Sequence, residues 1–403
     1  MRLDSHLIEK LKAEFGESFY LLDSIRFRNN FIELRQAFNE IYPNTNIAYS
    51  YKTNYIPKFC KVVNDLGGYA EVVSEMELEI ATRIGCRFNK IIWNGPVKNV
   101  LVMEDFLIKG GTINIDSLEE LEFVKAIHNR HSNVEINVGI RCNYDVNDGV
   151  ISRFGFDIEQ DDFKHALEYL TTTKNIKLIN FQCHFAKRNL EYWAARVNGM
   201  IRLIDSLGII PERIDIGGGL YGKMHDSLKQ QFQNYIPNYN EYAKVAATPF
   251  KEYFSNKKNY PELLIEPGSA IVGDCMNFVA TIKTIKQVRN KFFATIMGSQ
   301  KNISMANVNP PIEIIPMGMK QKKYTNIDFA GYTCIENDIL YRNYSGSLAQ
   351  EDVVIFGNCG SYSVVMKPPF ILPNFPILDI CGDNVDIVKR QEKFDDLFIT
   401  YNF

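Results

Sequence analysis

The sequence predicts an α/β protein, a (β/α)8 barrel joined to a second domain that is a β-sandwich or β-barrel. Two observations carry this. Between residues 47 and 265, short apolar runs alternate with amphipathic helical stretches, giving eight strand-like segments. After Glu266-Pro267-Gly268 the texture changes to short β-rich runs separated by turn residues.

The barrel strands are expected at 47–51, 69–73, 90–93, 112–115, 135–141, 178–184, 213–216 and 263–265. Helical patterns lie between them at 75–84, 97–108, 118–128, 162–172, 190–207 and 228–247. Ser117 before Leu118-Glu119-Glu120 is an N-cap signal with acids in the first turn. Beyond the barrel, strands are expected at 271–283, 291–297, 312–315 and 353–356, and the next long helix at 385–397. Residues ahead of 27 hold a helix and one strand, 19–22, that group with the β domain. The expected division is 25–268 for the barrel, and 1–24 with 269–403 for the second domain.

Composition narrows the function. A chain of 403 residues can bury a large core. With 46% hydrophobic and 23% charged residues, it has the balance of a soluble globular protein. A net charge of −3, without long runs of one sign, argues against nucleic acid or an anionic membrane as partner. No apolar stretch reaches the roughly 18 residues that span a bilayer. The first residues lead into a charged amphipathic pattern, not a signal sequence. The eight cysteines include no Cys-x-x-Cys pair, so no metal site or disulfide framework is expected. A reduced, cytoplasmic protein is the expectation.

The chemistry starts at Lys52. It ends the strand-like run Ile47-Ala48-Tyr49-Ser50-Tyr51, and Pro57 opens a helical pattern soon after. A lysine at the C-terminal end of a barrel strand lies where such barrels place their active sites. Desolvation there disfavours an ammonium group unless it is paired or covalently used. Lys52 is therefore a candidate Schiff-base lysine, the usual anchor of pyridoxal phosphate (PLP). Alone, it also reads as a lysine reaching out to solvent. The other strand ends tip the balance. They carry Glu71 with Ser74, then Asn94, Arg141, His184, Gly217-Gly218-Gly219 and Glu266. Each alone is weak, but polar groups at nearly every strand end are what a convergent site requires.

Two of these suit particular tasks. The glycine triplet after Ile214-Asp215-Ile216 reads either as a plain βα turn or as a phosphate nest. It is neither a P-loop nor a dinucleotide fingerprint. Glu266, held in a rigid Glu-Pro-Gly turn, could keep a pyridine nitrogen protonated. In the second domain, Cys334 and Tyr362 sit in polar, turn-like contexts.

Taken together, these residues resemble the fold-type III PLP-dependent decarboxylases, the family of the diaminopimelate, ornithine and arginine enzymes. The resemblance runs from Phe15-Gly16 to residues 390–397. It implies an alanine racemase-like barrel. Tyr49-Ser50-Tyr51-Lys52-Thr53-Asn54 looks like the family's lysine box, and Cys183-His184-Phe185 like the histidine that stacks on PLP. Gly217, Gly218 and Gly219 match the phosphate glycines, and Glu266 the pyridinium partner. Arg141, Ser152-Arg153-Phe154-Gly155, Ser74, Ser269 and Tyr362 fall on further family cofactor positions. Cys334, followed by Ile335, Glu336 and Asp338, resembles the substrate-binding segment donated across a homodimer with shared active sites.

The reaction so implied is decarboxylation of an amino acid or amino-acid conjugate through an external aldimine and a quinonoid. Lys52, His184, Glu266 and Cys334 would be the catalytic residues. A PLP-dependent racemase or epimerase, and a non-catalytic PLP-binding protein, are the alternatives. Three departures stand out. Ser269 replaces the family's usual Arg, Ile335 its Asp or Glu, and Glu71 its Asp. The first two remove recognition of a charged distal group. They suggest a branch of specialised metabolism, with the distal end of the substrate held within residues 298–309.

Overall fold

The computed structural model describes residues 4–305, 308–381 and 384–403, so residues 306 and 307 of the 298–309 segment lie outside it. The chain forms two compact units. One comprises Arg28–Gly222 and Asn234–Ile271. The other comprises Met1–Phe27, Lys223–Gln233 and Val272–Phe403.

The first unit is a closed barrel of eight parallel strands. They are β1 (Thr45–Ser50), β2 (Tyr69–Val72), β3 (Ile91–Trp93), β4 (Thr112–Ile115), β5 (Ile136–Asn143), β6 (Ile176–Gln182), β7 (Arg213–Asp215) and β8 (Glu262–Ile265). Each pairs with the next in chain order, and β8 pairs with β1 to close the ring. β2, β3 and β4 are buried along their whole length. This is why the strands read as unbroken apolar runs: side chains fill one face and helices cover the other.

Most helices lie where their periodicity places them, with Leu190–Leu207 matching residue for residue. Ser117 caps Leu118–Arg130, its Oγ accepting from the Glu120 N–H at 3.4 Å. The helix expected at 228–247 is instead two helices, Asp226–Lys229 and Tyr239–Phe254. Pro237 cannot continue a helix begun upstream. Asn238 then starts a new one through a capping box with Glu241.

The second unit is a β domain. Its long strand Met276–Val288 pairs antiparallel with Ser18–Leu22, Val353–Phe356 and Lys291–Ile296. Ile8, Leu11, Phe19, Leu21, Val279 and Val353 are part of a buried cluster. Two expectations need correction here. The strand expected at 271–283 begins only at Met276, because Ser269–Val272 is a helical turn. The expected 385–397 helix is mainly the strand Asn384–Lys389, paired with Ile377–Cys381, followed by a short helix, Phe394–Phe398. The strands Lys322–Ala330 and Ile339–Leu348 went unforeseen, since their exposed lysines, asparagines and serines mask the alternation.

The Lys98–Glu120 ion pair is buried in the barrel unit. Lys98 Nζ donates to both Glu120 carboxylate oxygens at 2.8 Å and to the carbonyls of Gly95 and Asn114 at 2.7 and 3.2 Å. Burial lowers the Lys98 pKa and raises that of Glu120. Removing one partner strands the other, so Lys98→Met should cost about 3–5 kcal/mol. The loss should be smaller at pH 5 than at pH 8, because burial raises the Glu120 pKa and favours its neutral form, and smaller in Lys98→Met/Glu120→Met. Urea unfolding at two pH values measures both contrasts.

Candidate active site

The C-terminal ends of β1, β2, β3 and β8 bring four expected groups together. Lys52 sits in a short 3-10 turn, Tyr51–Thr53, directly after β1. Its Nζ lies 2.5 Å from Glu71 Oε2, and its side chain remains 37% exposed while Glu71 is fully buried. Ser50 Oγ donates to the same Glu71 oxygen at 2.6 Å. Asn94, just past β3, donates to Glu71 Oε1 at 3.0 Å and to Glu266 Oε1 at 2.5 Å. Gln182 donates to the other Glu266 oxygen at 3.3 Å.

The Glu-Pro-Gly turn and the lysine turn are locked to each other. The Ser50 N–H donates to the Pro267 carbonyl at 3.1 Å. A Cβ on Gly268 would collide with the Thr53 hydroxyl. Glycine is required there because the two turns touch.

The electrostatics separate the two glutamates. Burial pushes both pKa values up. For Glu71, Lys52 and the hydrogen bonds from Lys52, Ser50 and Asn94 outweigh burial and hold the carboxyl below its ordinary value. For Glu266, burial and the like charge of Glu71 dominate, and its pKa rises to about 7. Burial also opposes the charge on Lys52, but Glu71 and then Glu266 more than offset it and raise its pKa.

His184 follows β6, with Nδ1 3.9 Å from Glu266 Oε2. Burial, then Arg196, Lys52 and Arg141, hold its pKa well below the usual value, so the ring is neutral. Nδ1 accepts from the Gly218 N–H at 3.0 Å, which puts the ring proton on Nε2. The Gly217 N–H is likewise taken, by Asp215 at 2.9 Å. Gly217 and Gly219 have φ of +71° and +86°. A Cβ on Gly218 would run into the Glu266 carbonyl, whereas the Gly219 position has no atom nearer than 3.3 Å.

Arg141 is buried against Phe154, and its Nη1 lies 3.5 Å from Asp116. Ser74 caps the helix Glu75–Arg83 through its Oγ, and Ser269 opens the turn Ser269–Val272.

The β unit holds the remaining expected residues. Among the cysteines whose side chains are described, Cys334 is exposed and Cys60, Cys86, Cys142, Cys183, Cys275 and Cys359 are buried. Ile335 is half exposed. Asp338, expected to bind substrate, is turned inward: its carboxylate accepts from Ser299, the Gln300 N–H and Thr333 at 3.0, 2.7 and 2.6 Å. It braces the Cys334 loop. Tyr362 holds a left-handed backbone, φ +58°.

Several groups of the barrel site were missed. Asn114, Asn180, Gln182 and Asp215 are buried polar residues within apolar strands. Arg196, fully buried on the apolar face of Leu190–Leu207, donates to the carbonyls of Phe185, Ile216 and Gly218 at 2.8–2.9 Å. It pins the glycine turn. The available signal was a charged residue inside a helical apolar stripe.

The pyridoxal-binding domain of the pyridoxal-dependent decarboxylases matches residues 28–273. The chain belongs to this family. PLP is its cofactor, decarboxylation of an amino acid its reaction, and a small molecule its substrate. Relatives agree along nearly the full length. The diaminopimelate decarboxylase of Aquifex aeolicus is 24% identical, covering 96% of this chain and 92% of that one. The fold superposes on diaminopimelate decarboxylase from M. jannaschii, solved with L-lysine, at a TM-score of 0.85, with 21% identity over 98% of this chain and 94% of that one. It also superposes on a lysine/ornithine decarboxylase from Vibrio vulnificus, solved with putrescine, at 0.73, with 19% identity over 93% and 98%. No helix among the described residues is long and apolar enough to cross a membrane.

The raised Glu266 pKa sets a pH dependence. Its folded value, about 7, exceeds the ordinary 4.5, so the fold binds the extra proton and stability falls as pH rises between them. Glu266→Gln should relieve this. In cofactor-free protein its effect on unfolding should be more favourable at pH 8 than at pH 5, by on the order of 2 kcal/mol. An equal effect at both pH values, by urea titration, would contradict the assignment.

Proposed function

We propose that PLP is held at the barrel mouth by Lys52, His184, Glu266 and the glycine turn. We further propose that the substrate is an amino acid, or a conjugate of one, whose distal end lacks the charge of free diaminopimelate, ornithine or lysine. The observation that carries the first part is the cluster of a partly exposed Lys52 over the buried Glu71 and Glu266. When bound, PLP supplies the electron sink that lets a carboxylate leave as CO2.

The chain's own groups fit this cofactor. Lys52 must shed a proton to bond to an aldehyde carbon, and Glu71 at 2.5 Å holds the ammonium group in place until it does. Glu266, with a pKa of about 7, can share a proton with a pyridine nitrogen near neutral pH. A neutral His184 can stack on a protonated ring without repelling it. Gly219, with φ of +86°, would face the phosphate, supported by Arg141, Ser74 and Ser269. Gly217 and Gly218 contribute closeness, since their N–H groups are already used. We place the enzyme in the cytoplasm as a homodimer in which the partner subunit's Cys334 protonates the carbon that has lost its carboxylate. Its exposure, on a loop braced by Asp338, supports this.

The distal reading rests on Ser269 and Ile335. Burying a charged distal group without a partner costs several kcal/mol, roughly a thousandfold or more in kcat/KM. Recognition of the distal end falls to residues 298–309, of which 306 and 307 are outside the described structure.

Borohydride reduction and peptide mapping should place the pyridoxyl group on Lys52. Purified enzyme should release CO2 from its substrate, where a racemase would only exchange the α-hydrogen. Mixing Lys52→Ala with Cys334→Ala should restore activity through hybrid dimers, and an active monomer in sedimentation would refute the shared site. Conjugated amino acids should outperform free diaminopimelate and ornithine in kcat/KM, and efficient turnover of either free diamino acid would overturn the distal reading.

A further inference from the structure

We propose that Asn94 is a positioning residue that couples Glu71, the counter-ion of Lys52, to Glu266, and that an amide chain through Asn114 and Asn180 holds it in register. The proposal rests on the site assignment above.

The geometry begins with one nitrogen. Asn94 Nδ2 donates to Glu71 at 3.0 Å and to Glu266 at 2.5 Å. An amide nitrogen carries two hydrogens, and an ionised carboxylate only accepts, so each hydrogen serves one carboxylate. Asn94 Oδ1 must then accept, and it does so from Asn114 Nδ2 at 2.7 Å. Asn114 Oδ1 accepts in turn from Asn180 Nδ2 at 2.9 Å. The carboxylates thus fix the orientation of every amide in the chain, which geometry alone leaves ambiguous.

The barrel is built to let this chain through. Asn114 lies on β4 and Asn180 on β6, with β5 between them. The β5 residue beside both is Gly139, where a Cβ would collide with Asn114 Oδ1 and stand 2.9 Å from Asn180 Cβ. Asn114 is anchored from behind as well, since its carbonyl accepts from Lys98 at 3.2 Å.

The coupling matters because two like charges share one buried space. Among the described residues, Lys52 ion-pairs with Glu71 alone. Around Glu266 stand Lys52 after β1, Glu71 on β2, Arg141 on β5, Cys183 and His184 after β6, Arg196 on its helix and Asp215 on β7. Asp215 titrates with Glu266, and its own pKa is raised by burial and by that carboxylate. Asn94 makes the shortest hydrogen bond to Glu266, so its loss should be felt most when Glu266 is ionised.

The test uses full-length protein stripped of PLP, unfolded in urea at pH 5 and pH 8, with kinetics on the PLP-loaded form. Asn94→Ala should lower the urea midpoint about threefold more at pH 8 than at pH 5. Asn114→Ala should show the same trend with smaller amplitude. In a Glu71→Gln background the contrast should shrink by about half or more, because the like charge is gone. In the loaded enzyme, Asn94→Ala should lower kcat about tenfold or more with KM changed less than about threefold. An equal midpoint loss at both pH values would mean that Asn94 only packs, and would overturn the proposal. If Asn94→Ala fails to fold, Asn114→Ala decides by the same criterion. Borohydride mapping of the wild type separates the two failures. Pyridoxyl on Lys52 without a pH contrast sinks the coupling alone, while pyridoxyl on another lysine overturns the site assignment with it.

Discussion

The barrel mouth depends on how two carboxylates are kept in one buried space beneath a single lysine. A buried charge without compensation costs several kcal/mol. Glu71 is compensated by an ammonium group, a hydroxyl and an amide. Glu266 is held by amides and a distant imidazole, and Lys52 and Arg141 offset its burial only in part. The same side chain therefore ends with opposite shifts, one below the carboxylate range and one near neutrality. Environments that push paired titratable groups apart mark acid and base roles. Here they leave Glu71 a permanent anion for Lys52 and Glu266 a group that can gain or lose a proton near pH 7.

The fold supplies this contrast through strand ends that are remote in sequence. Lys52, Glu71, Asn94 and Glu266 come from four strands, which a closed parallel barrel sets side by side. Rigidity comes from contacts that leave no room for movement. Gly268 abuts Thr53, Gly218 abuts the Glu266 carbonyl, and Arg196 ties the glycine turn to the Phe185 carbonyl. A site held this way can keep its charges spaced within tenths of an ångström, as electrostatic preorganisation requires.

What the sequence revealed follows from what each residue type signals. Barrel strands were legible because both of their faces are covered, so they read as uninterrupted apolar runs. Lys52, His184 and Glu266 were legible because a charged or titratable residue ending such a run is costly without a use. Asn114, Asn180 and Gln182 were not, because a single amide within an apolar strand gives no hint of a partner on another strand. The β unit was less legible for the opposite reason. Lys322–Ala330 and Ile339–Leu348 expose much of their length, and their polar residues blur the two-residue period. The pattern at 385–397 admitted both periods, and pairing with Ile377–Cys381 decided for a strand.

The departures from the family pattern fall into two classes. Glu71, in place of the usual Asp, stays inside the cofactor machinery: its longer side chain still reaches Lys52 and Ser50 while its second oxygen meets Asn94. On the proposed reading, Ser269 and Ile335 instead remove charge where the substrate's far end would lie; Ile335 is half exposed beside the exposed Cys334. Asp338 is retained, and its three hydrogen bonds, from Ser299, the Gln300 N–H and Thr333, tie it into its own loop. On the reading proposed above, the chain keeps the groups that labilise the α-carboxylate and lacks those that would grip a distal charge, so it would keep its reaction and take a substrate with a different distal end. Such a change would be open to a barrel enzyme whose cofactor is held by strand ends and whose substrate's distal end is read by turns, because those turns can vary without disturbing the strand ends.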